Sequence, residues 1–276
     1  PVQYERGGYD SKTDIHCPMY IDYEESEKYC KSDGVKPYIQ CEYAHAMGNS
    51  EGGFKEYWDL IRKYPKYQGG YIWDFVDQGL RDKSPITGKE IFTYGGDYGR
   101  YPASDYNFNC NGIIAPDRRL NPHAYEIQYW HQNVWIKDLD AVNGAFNIYN
   151  ENFFKKIDDL HLTATIYANG VKLSTVEIPE TKGIAPQTTK MVKSDALKYA
   201  IAEAESEHGK EEITVNFAFA SDGTEPLVEK GQVIARQQFV INEYQFDKVD
   251  TPIAPTSTKI SGKKGKLQST NNIEVE

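Results

Sequence analysis

The sequence is poor in cysteine, in basic residues and in unbroken apolar stretches. Its four cysteines, Cys17, Cys30, Cys41 and Cys110, lie 13, 11 and 69 residues apart. None forms a C-x-x-C pair, which argues against a zinc site. Four cysteines in 276 residues are too few for a disulfide scaffold, so they are expected to be free and partly buried. Apolar runs extend over only a few residues, which excludes a transmembrane helix and, with it, a membrane partner. Basic residues are outnumbered, 31 Lys and Arg against 41 Asp and Glu, for a net charge of −10. That balance repels phosphate backbones and argues against nucleic acid as a partner. An initiating Met is missing too: the chain starts Pro1-Val2-Gln3, which reads as a cut from a longer polypeptide, so the lack of a signal peptide says nothing about compartment.

Aromatic residues are abundant, with 21 Tyr, 11 Phe and 4 Trp. Flat apolar faces with polar tips suit sugar rings, and they suit cores and edge strands equally well. The length predicts about two domains.

Residues 1–132 read as strands alternating with helices. Strand candidates cover 14–20, 37–41 and 69–76. A weak helical signal covers 23–31. Asn49-Ser50 reads as a helix start, followed by the stripe Phe54, Tyr57, Trp58 and Ile61 and ended by Pro65. A polar, Gly-rich loop runs from Asp77 to about Asn121, and a last helix covers about 122–132. Alternation of this kind predicts parallel strands with right-handed crossovers. A whole (β/α)8 barrel takes about 250 residues. The predicted class is therefore α/β plus all-β, with the C-terminal part of a TIM-type barrel first. Residues 133–246 turn to short β-rich runs, with a hairpin signal at Asn169-Gly170, and predict an immunoglobulin-like β-sandwich. Residues 195–206 read as a short helix or an insert. From Asp247 to Glu276 the chain reads as a mobile linker toward an absent C-terminal domain, with Thr251–Thr256 extended and Lys259–Lys266 basic.

The segment Cys41-Glu42-Tyr43-Ala44-His45-Ala46-Met47-Gly48-Asn49-Ser50 carries most of the chemistry. A carboxylate at the end of a buried strand is costly unless hydrogen-bonded or functional. In a TIM-type barrel that end is the active face. His45, three residues on, can line the same pocket. The alternative is a helix-entry loop capped by Asn49 or Ser50. Asp74, Asp77 and Asp97 are rival carboxylates, which could equally hold a loop N–H.

This stretch and Gln68-Gly69-Gly70-Tyr71-Ile72-Trp73-Asp74-Phe75-Val76-Asp77-Gln78 closely resemble the large multidomain bacterial β-galactosidases of glycoside hydrolase family two. Pro1–Glu5, Cys17–Tyr20, Tyr94–Gly99 and Phe108–Gly112 resemble further family segments. The likeness is strong over 1–132 and faint but collinear beyond. The resemblance implies that Glu42 is the catalytic nucleophile, which forms a covalent galactosyl-enzyme hydrolysed with net retention. It implies that Tyr20 holds Glu42 ionised and aimed, and that His45 contacts substrate hydroxyls and stabilises the transition state. It places the sugar on Trp73. It implies a sodium site through the Phe108 carbonyl and the Asn111 side chain.

The departures matter equally. The family's acid/base glutamate lies in a segment just before Pro1, and its magnesium ligands and N-terminal domains are missing as well. Magnesium and sodium are thus implied for the parent enzyme. The parent is expected to cleave terminal β-D-galactosides, while this chain alone is expected to be inactive. An incomplete barrel exposes strand edges and apolar faces, so the chain is expected to self-associate as a homo-oligomer. The rivals are a family-two β-glucuronidase or β-mannosidase, and a non-catalytic carbohydrate-binding module. A uronic-acid pocket would want a further cationic clamp that this sequence does not identify.

Overall fold

Four extended segments lie side by side and parallel in the N-terminal half. The computed structural model describes residues 1–7, 11–99, 104–179 and 181–246, and the short stretches 261–263, 266–268 and 274–275. Residues 15–20 pair with β1 (Tyr38–Tyr43), through His16 N to Pro37 O, Ile39 N to His16 O and Cys41 N to Pro18 O. β1 pairs in parallel with β2 (Tyr67–Ile72). The path of β2 continues to residues 74–77, which pair with 111–114. The last pair approaches so closely that a Cβ on Gly112 would fall 2.0 Å from Asp77 N, so only glycine fits there.

Helices back this sheet. α1 (Tyr23–Lys31) is capped by Asp22, whose Oδ1 accepts from Glu25 N at 2.9 Å, and its charges run acidic to basic along the helix dipole. α2 (Phe54–Lys63) packs Phe54 and Tyr57 against Tyr43 of β1, with ring centroids 6.1 and 5.1 Å apart. α3 (His123–Trp130) adds Ile127 to the same cluster.

Two differences from the sequence reading stand out here. α2 begins at Phe54, not near Asn49. Gly53 is left-handed (φ +76°), and the Ser50 hydroxyl turns back to donate to His45 O and Met47 O instead of capping the helix. The stretch 77–121 holds more than a loop. It forms the hairpin β3 (Leu80–Lys83) and β4 (Glu90–Thr93), a 3-10 turn at Gly95–Tyr98, and the fourth parallel segment. The hairpin faces solvent, so no buried periodicity announces it.

The C-terminal half consists of two antiparallel sheets on one core. β5 (Val134–Asp140), β6 (Ala145–Asn150) and β9 (Thr188–Lys193) make one, in the order β5-β6-β9. β7 (Leu160–Ala168), β8 (Val171–Ile178), β10 (Ile213–Ser221) and β11 (Val233–Asn242) make the other, in the order β11-β10-β7-β8. Alternate residues of β7 and β10 point inward, Leu162, Ala164 and Ile166 against Val215, Phe217 and Phe219. Asn169-Gly170 makes the β7–β8 turn, both with positive φ (46° and 77°), as the two-residue hairpin requires. α4 (Asp195–His208), capped by the Ser194 hydroxyl, buries Leu197, Ile201 and Ala204 on the same core. Residues 195–206 are therefore a helix. Burying its stripe on the sheets decides between the two readings.

The two halves touch along α3 and β11. Gln132 bonds Arg236 twice, Nε2 to O at 3.1 Å and Oε1 from N at 2.8 Å, and Gln128 Nε2 donates to Val233 O at 3.2 Å. β12 (Ser261–Lys263), β13 (Lys266–Gln268) and β14 (Glu274–Val275) pair into a small sheet. The expected extended linker at 251–256 lies outside the described residues. All four cysteines are free thiols, Cys17 and Cys30 buried, Cys41 half-buried and Cys110 exposed. Among the described residues no helix is long and apolar enough to cross a membrane.

Candidate active site

The C-terminal ends of these parallel segments converge. Tyr20 ends the first segment, and its backbone N–H donates to Glu42 O at 2.9 Å, which sets the two side chains beside each other. The Tyr20 hydroxyl then donates to Glu42 Oε2 at 2.6 Å. Burial first, and the Glu42 carboxylate second, push the Tyr20 hydroxyl well above the usual phenol range, so it stays a donor. A hydrogen bond of this length fixes the carboxylate's direction. Tyr20 and Ala44 both have positive φ (52° and 50°) on either side of Glu42, strain of the kind stored where side-chain aim matters.

His45 follows in the loop after β1. Its ring meets Tyr20 edge-on at 5.7 Å and tilts against Phe108 at 5.4 Å. The loop is pinned by Ala46 N to Trp73 O (2.9 Å) and by Ser50 Oγ to His45 O (2.6 Å). Trp73 lies beyond the end of β2, 6.4 Å from Phe108 centroid to centroid, with its buried Nε1 lacking a hydrogen-bond partner. The structure thus brings Tyr20, Glu42, His45, Trp73 and Phe108 together.

Asn111 is fully buried at the base of this group. Its backbone is held by Asp74 N on its O and by its own N on Gln78 Oε1, but neither atom of its side-chain amide has a partner. An orphaned amide oxygen is a hard donor that suits a small cation, so this residue fits the implied sodium. Among the described residues no group of three or more His, Cys, Asp or Glu gathers as a metal site, and no residue is assigned to magnesium.

The rival carboxylates hold structure. Asp74 Oδ2 accepts from Gln78 Nε2 at 3.0 Å, Asp77 Oδ1 from Gly112 N at 2.7 Å, and Asp97 Oδ2 from Tyr94 N at 2.9 Å. Glu51 went unnoticed in the sequence. Its side chain is fully buried, with Oε2 2.7 Å from His123 Nε2. Burial, with Glu126 adding to it, pushes its carboxyl up to about 8. It follows the expected helix start Asn49-Ser50, and only the tertiary structure reveals its burial.

The profile described as glycosyl hydrolases family 2, TIM barrel domain, matches residues 1–136. The chain belongs to that family of glycosyl hydrolases. A second profile, described as beta-galactosidase, domain 4, matches residues 146–242. A beta-galactosidase of Leuconostoc mesenteroides subsp. mesenteroides is 36% identical over 257 residues, 87% of this chain and 24% of that protein. One of Halalkalibacterium halodurans is 43% identical over 166 residues, 60% of this chain and 16% of that protein. Among solved structures, a Parabacteroides merdae beta-glucuronidase shares 13% identity and a TM-score of 0.29, over 95% of this chain and 33% of that one. The chain spans about a quarter or less of the length of these curated relatives.

Proposed function

We propose that this chain is the nucleophile-bearing part of a retaining β-galactosidase. The observation that carries this reading is the Tyr20 hydroxyl donating to Glu42 Oε2 at 2.6 Å, at the C-terminal end of a parallel strand. A carboxylate aimed by a hydrogen bond from one side suits attack on an anomeric carbon. Glu42 forms the glycosyl-enzyme, and Tyr20 gives its hydrogen bond to the carboxylate before attack and again as it leaves. The Trp73 indole takes the apolar face of the galactose ring, and His45 contacts the sugar hydroxyls. Asn111 Oδ1 and the Phe108 carbonyl would hold sodium, which would supply a positive charge for substrate oxygens. The β-galactosidase name of the domain matching 146–242 and of the curated relatives supports galactose over other sugars.

Retaining hydrolysis needs a second carboxyl about 5–5.5 Å from the first. In this reading it comes from another part of the full-length enzyme, as does the magnesium site. The barrel part is assigned to 1–132, an immunoglobulin-like sandwich to 133–246 and a linker to 247–276.

An activated 2-deoxy-2-fluorogalactoside tests the reading in the full-length enzyme. The reagent forms the glycosyl-enzyme readily and leaves it slowly, and peptide mass mapping locates the label. A label on Glu42 is expected. A label on another carboxylate, with continued turnover of galactosides, would make Glu42 structural and remove the roles given to Tyr20, His45 and Trp73.

A further inference from the structure

Glu51 lies in the same loop as His45 and faces a different element. Its side chain has no exposed surface. His123, on the first turn of α3, brings Nε2 to 2.7 Å from Glu51 Oε2 and to 3.0 Å from Gly112 O. The hydrogen-bond geometry favours Gly112 O, since neither Glu51 oxygen has an aligned donor. Gly112 is itself a junction. Its N donates to Asp77 Oδ1 (2.7 Å), and its O also accepts from Asn121 Nδ2 (2.9 Å). It directly follows Asn111.

Three pieces of the site therefore meet at one imidazole: the His45 loop through Glu51, the Asn111 strand through Gly112, and α3 itself. The charged and titratable groups around Glu51 are His123 and Glu126 of α3 and Tyr43 of β1. No Lys or Arg pairs with it among the described residues. A fully buried carboxyl whose oxygens have no aligned hydrogen-bond donor is expensive and is expected to have a use.

We propose that Glu51 is a positioning residue, which through His123 ties the His45-bearing loop to the Asn111 strand and so holds His45 at the sugar. The inference rests on the galactosidase reading for the meaning of His45, but the tie itself does not. Glu51 touches no substrate. Displacing a contact residue by a fraction of an ångström is enough to lower turnover.

The test uses the full-length enzyme, with nitrophenyl β-galactoside as substrate, and the variants Glu51→Gln, Glu51→Leu and His123→Gln. Glu51→Gln keeps a neutral hydrogen-bonding group of the same shape and is expected to stay within about twofold of the parent. Glu51→Leu is expected to lower kcat/KM roughly tenfold, mostly in kcat, the scale of supporting residues around a site. Combined with His45→Ala it should add little, because both changes remove the same contact. Amide hydrogen exchange over 44–53 should quicken in Glu51→Leu, and His123→Gln gives a second route if that variant folds poorly. Additive effects of Glu51→Leu and His45→Ala, or unchanged exchange over 44–53 in both Glu51→Leu and His123→Gln, overturn the tie. A fully active Glu42→Gln would instead sink the galactosidase reading, and the exchange result would still decide the tie.

Discussion

Arg62 grips Glu151 with two parallel hydrogen bonds, Nε to Oε1 at 2.8 Å and Nη2 to Oε2 at 3.0 Å. The pair joins α2 to the residue after β6 and so crosses from one half of the molecule to the other. Arg62 Nη2 also donates to Trp130 O at 2.8 Å, and Trp135 Nε1 donates to Glu151 Oε2 at 2.7 Å. The guanidinium lies over Trp58 and Trp135, 4.9 and 4.6 Å from the ring centroids. Removing one partner strands the other in a largely buried place. Arg62→Ala is expected to lower unfolding free energy by about 3 kcal/mol, read from urea unfolding of the chain. Arg62→Lys should recover less than half, because an ammonium cannot supply the fork or the stacking face. A loss under about 1 kcal/mol for Arg62→Ala would make the pair an ordinary surface contact.

Parts of this arrangement were legible because a residue pattern repeats where a face is buried. β1, β2, the α2 stripe and the Asn169-Gly170 hairpin each show such a pattern. The segment 111–114 does not. It is Asn-Gly-Ile-Ile inside a Gly-rich stretch, and only its pairing with 74–77 makes it a strand. The Tyr20–Glu42 pair came from motif resemblance and not from spacing, since the residues are 22 apart. Glu51 and Arg62 could not be read at all. A charged residue in a loop or on a helix announces exposure, and burial comes from elements distant in sequence, α3 for Glu51 and the sandwich for Arg62.

Tyr20→Phe keeps the ring and removes only the hydroxyl that faces Glu42. A hydrogen bond to a charged group contributes about 1.5–3 kcal/mol. If that bond strengthens as Glu42 leaves the sugar, kcat in the full-length enzyme should fall roughly 10- to 100-fold. Folding should change little, because Tyr20 is substantially exposed. An unchanged kcat would show that the hydroxyl does not serve the reaction.

Asn111 offers a buried amide with no partner, so its energy depends on what fills the gap. In the full-length enzyme, replacing sodium by a bulky organic cation is expected to raise the KM for nitrophenyl β-galactoside. Asn111→Leu should remove that dependence while keeping the volume. A variant that still responds to sodium as the parent does would place the ion elsewhere.

Among the described residues the outer edge of the first parallel segment, 15–20, takes a hydrogen bond from Arg6 N at Cys17 O, and the outer edge of 111–114 meets Leu120 and Asn121, so both edges are covered only locally. Tyr71, Phe75, Leu80 and Phe108 are exposed in the same half. Open edges and apolar surface of this kind drive association. The 276-residue chain by itself is expected to show concentration-dependent oligomers by light scattering, and no turnover of nitrophenyl β-galactoside. A clean monomer at high concentration would oppose the first expectation, and measurable turnover the second.

Glu51 gives the chain a pH dependence whose sign can be worked out. Its carboxyl is raised to about 8 in the folded chain by burial and by Glu126, against about 4.5 when unfolded. Below about 4.5 both states hold the proton, so the group contributes no slope. Between 4.5 and 8 only the folded state holds it, so folding takes up a proton and stability falls as pH rises. Above about 8 both states have lost it and the slope ends. Glu51→Gln removes the titration and keeps the shape. The Tm difference, variant minus parent, is therefore expected to grow in the variant's favour from pH 5 to pH 8 and then level off. A difference that stays flat across this range would mean that Glu51 is ionised in the folded chain, paired with a charged His123, and that the imidazole carries the proton.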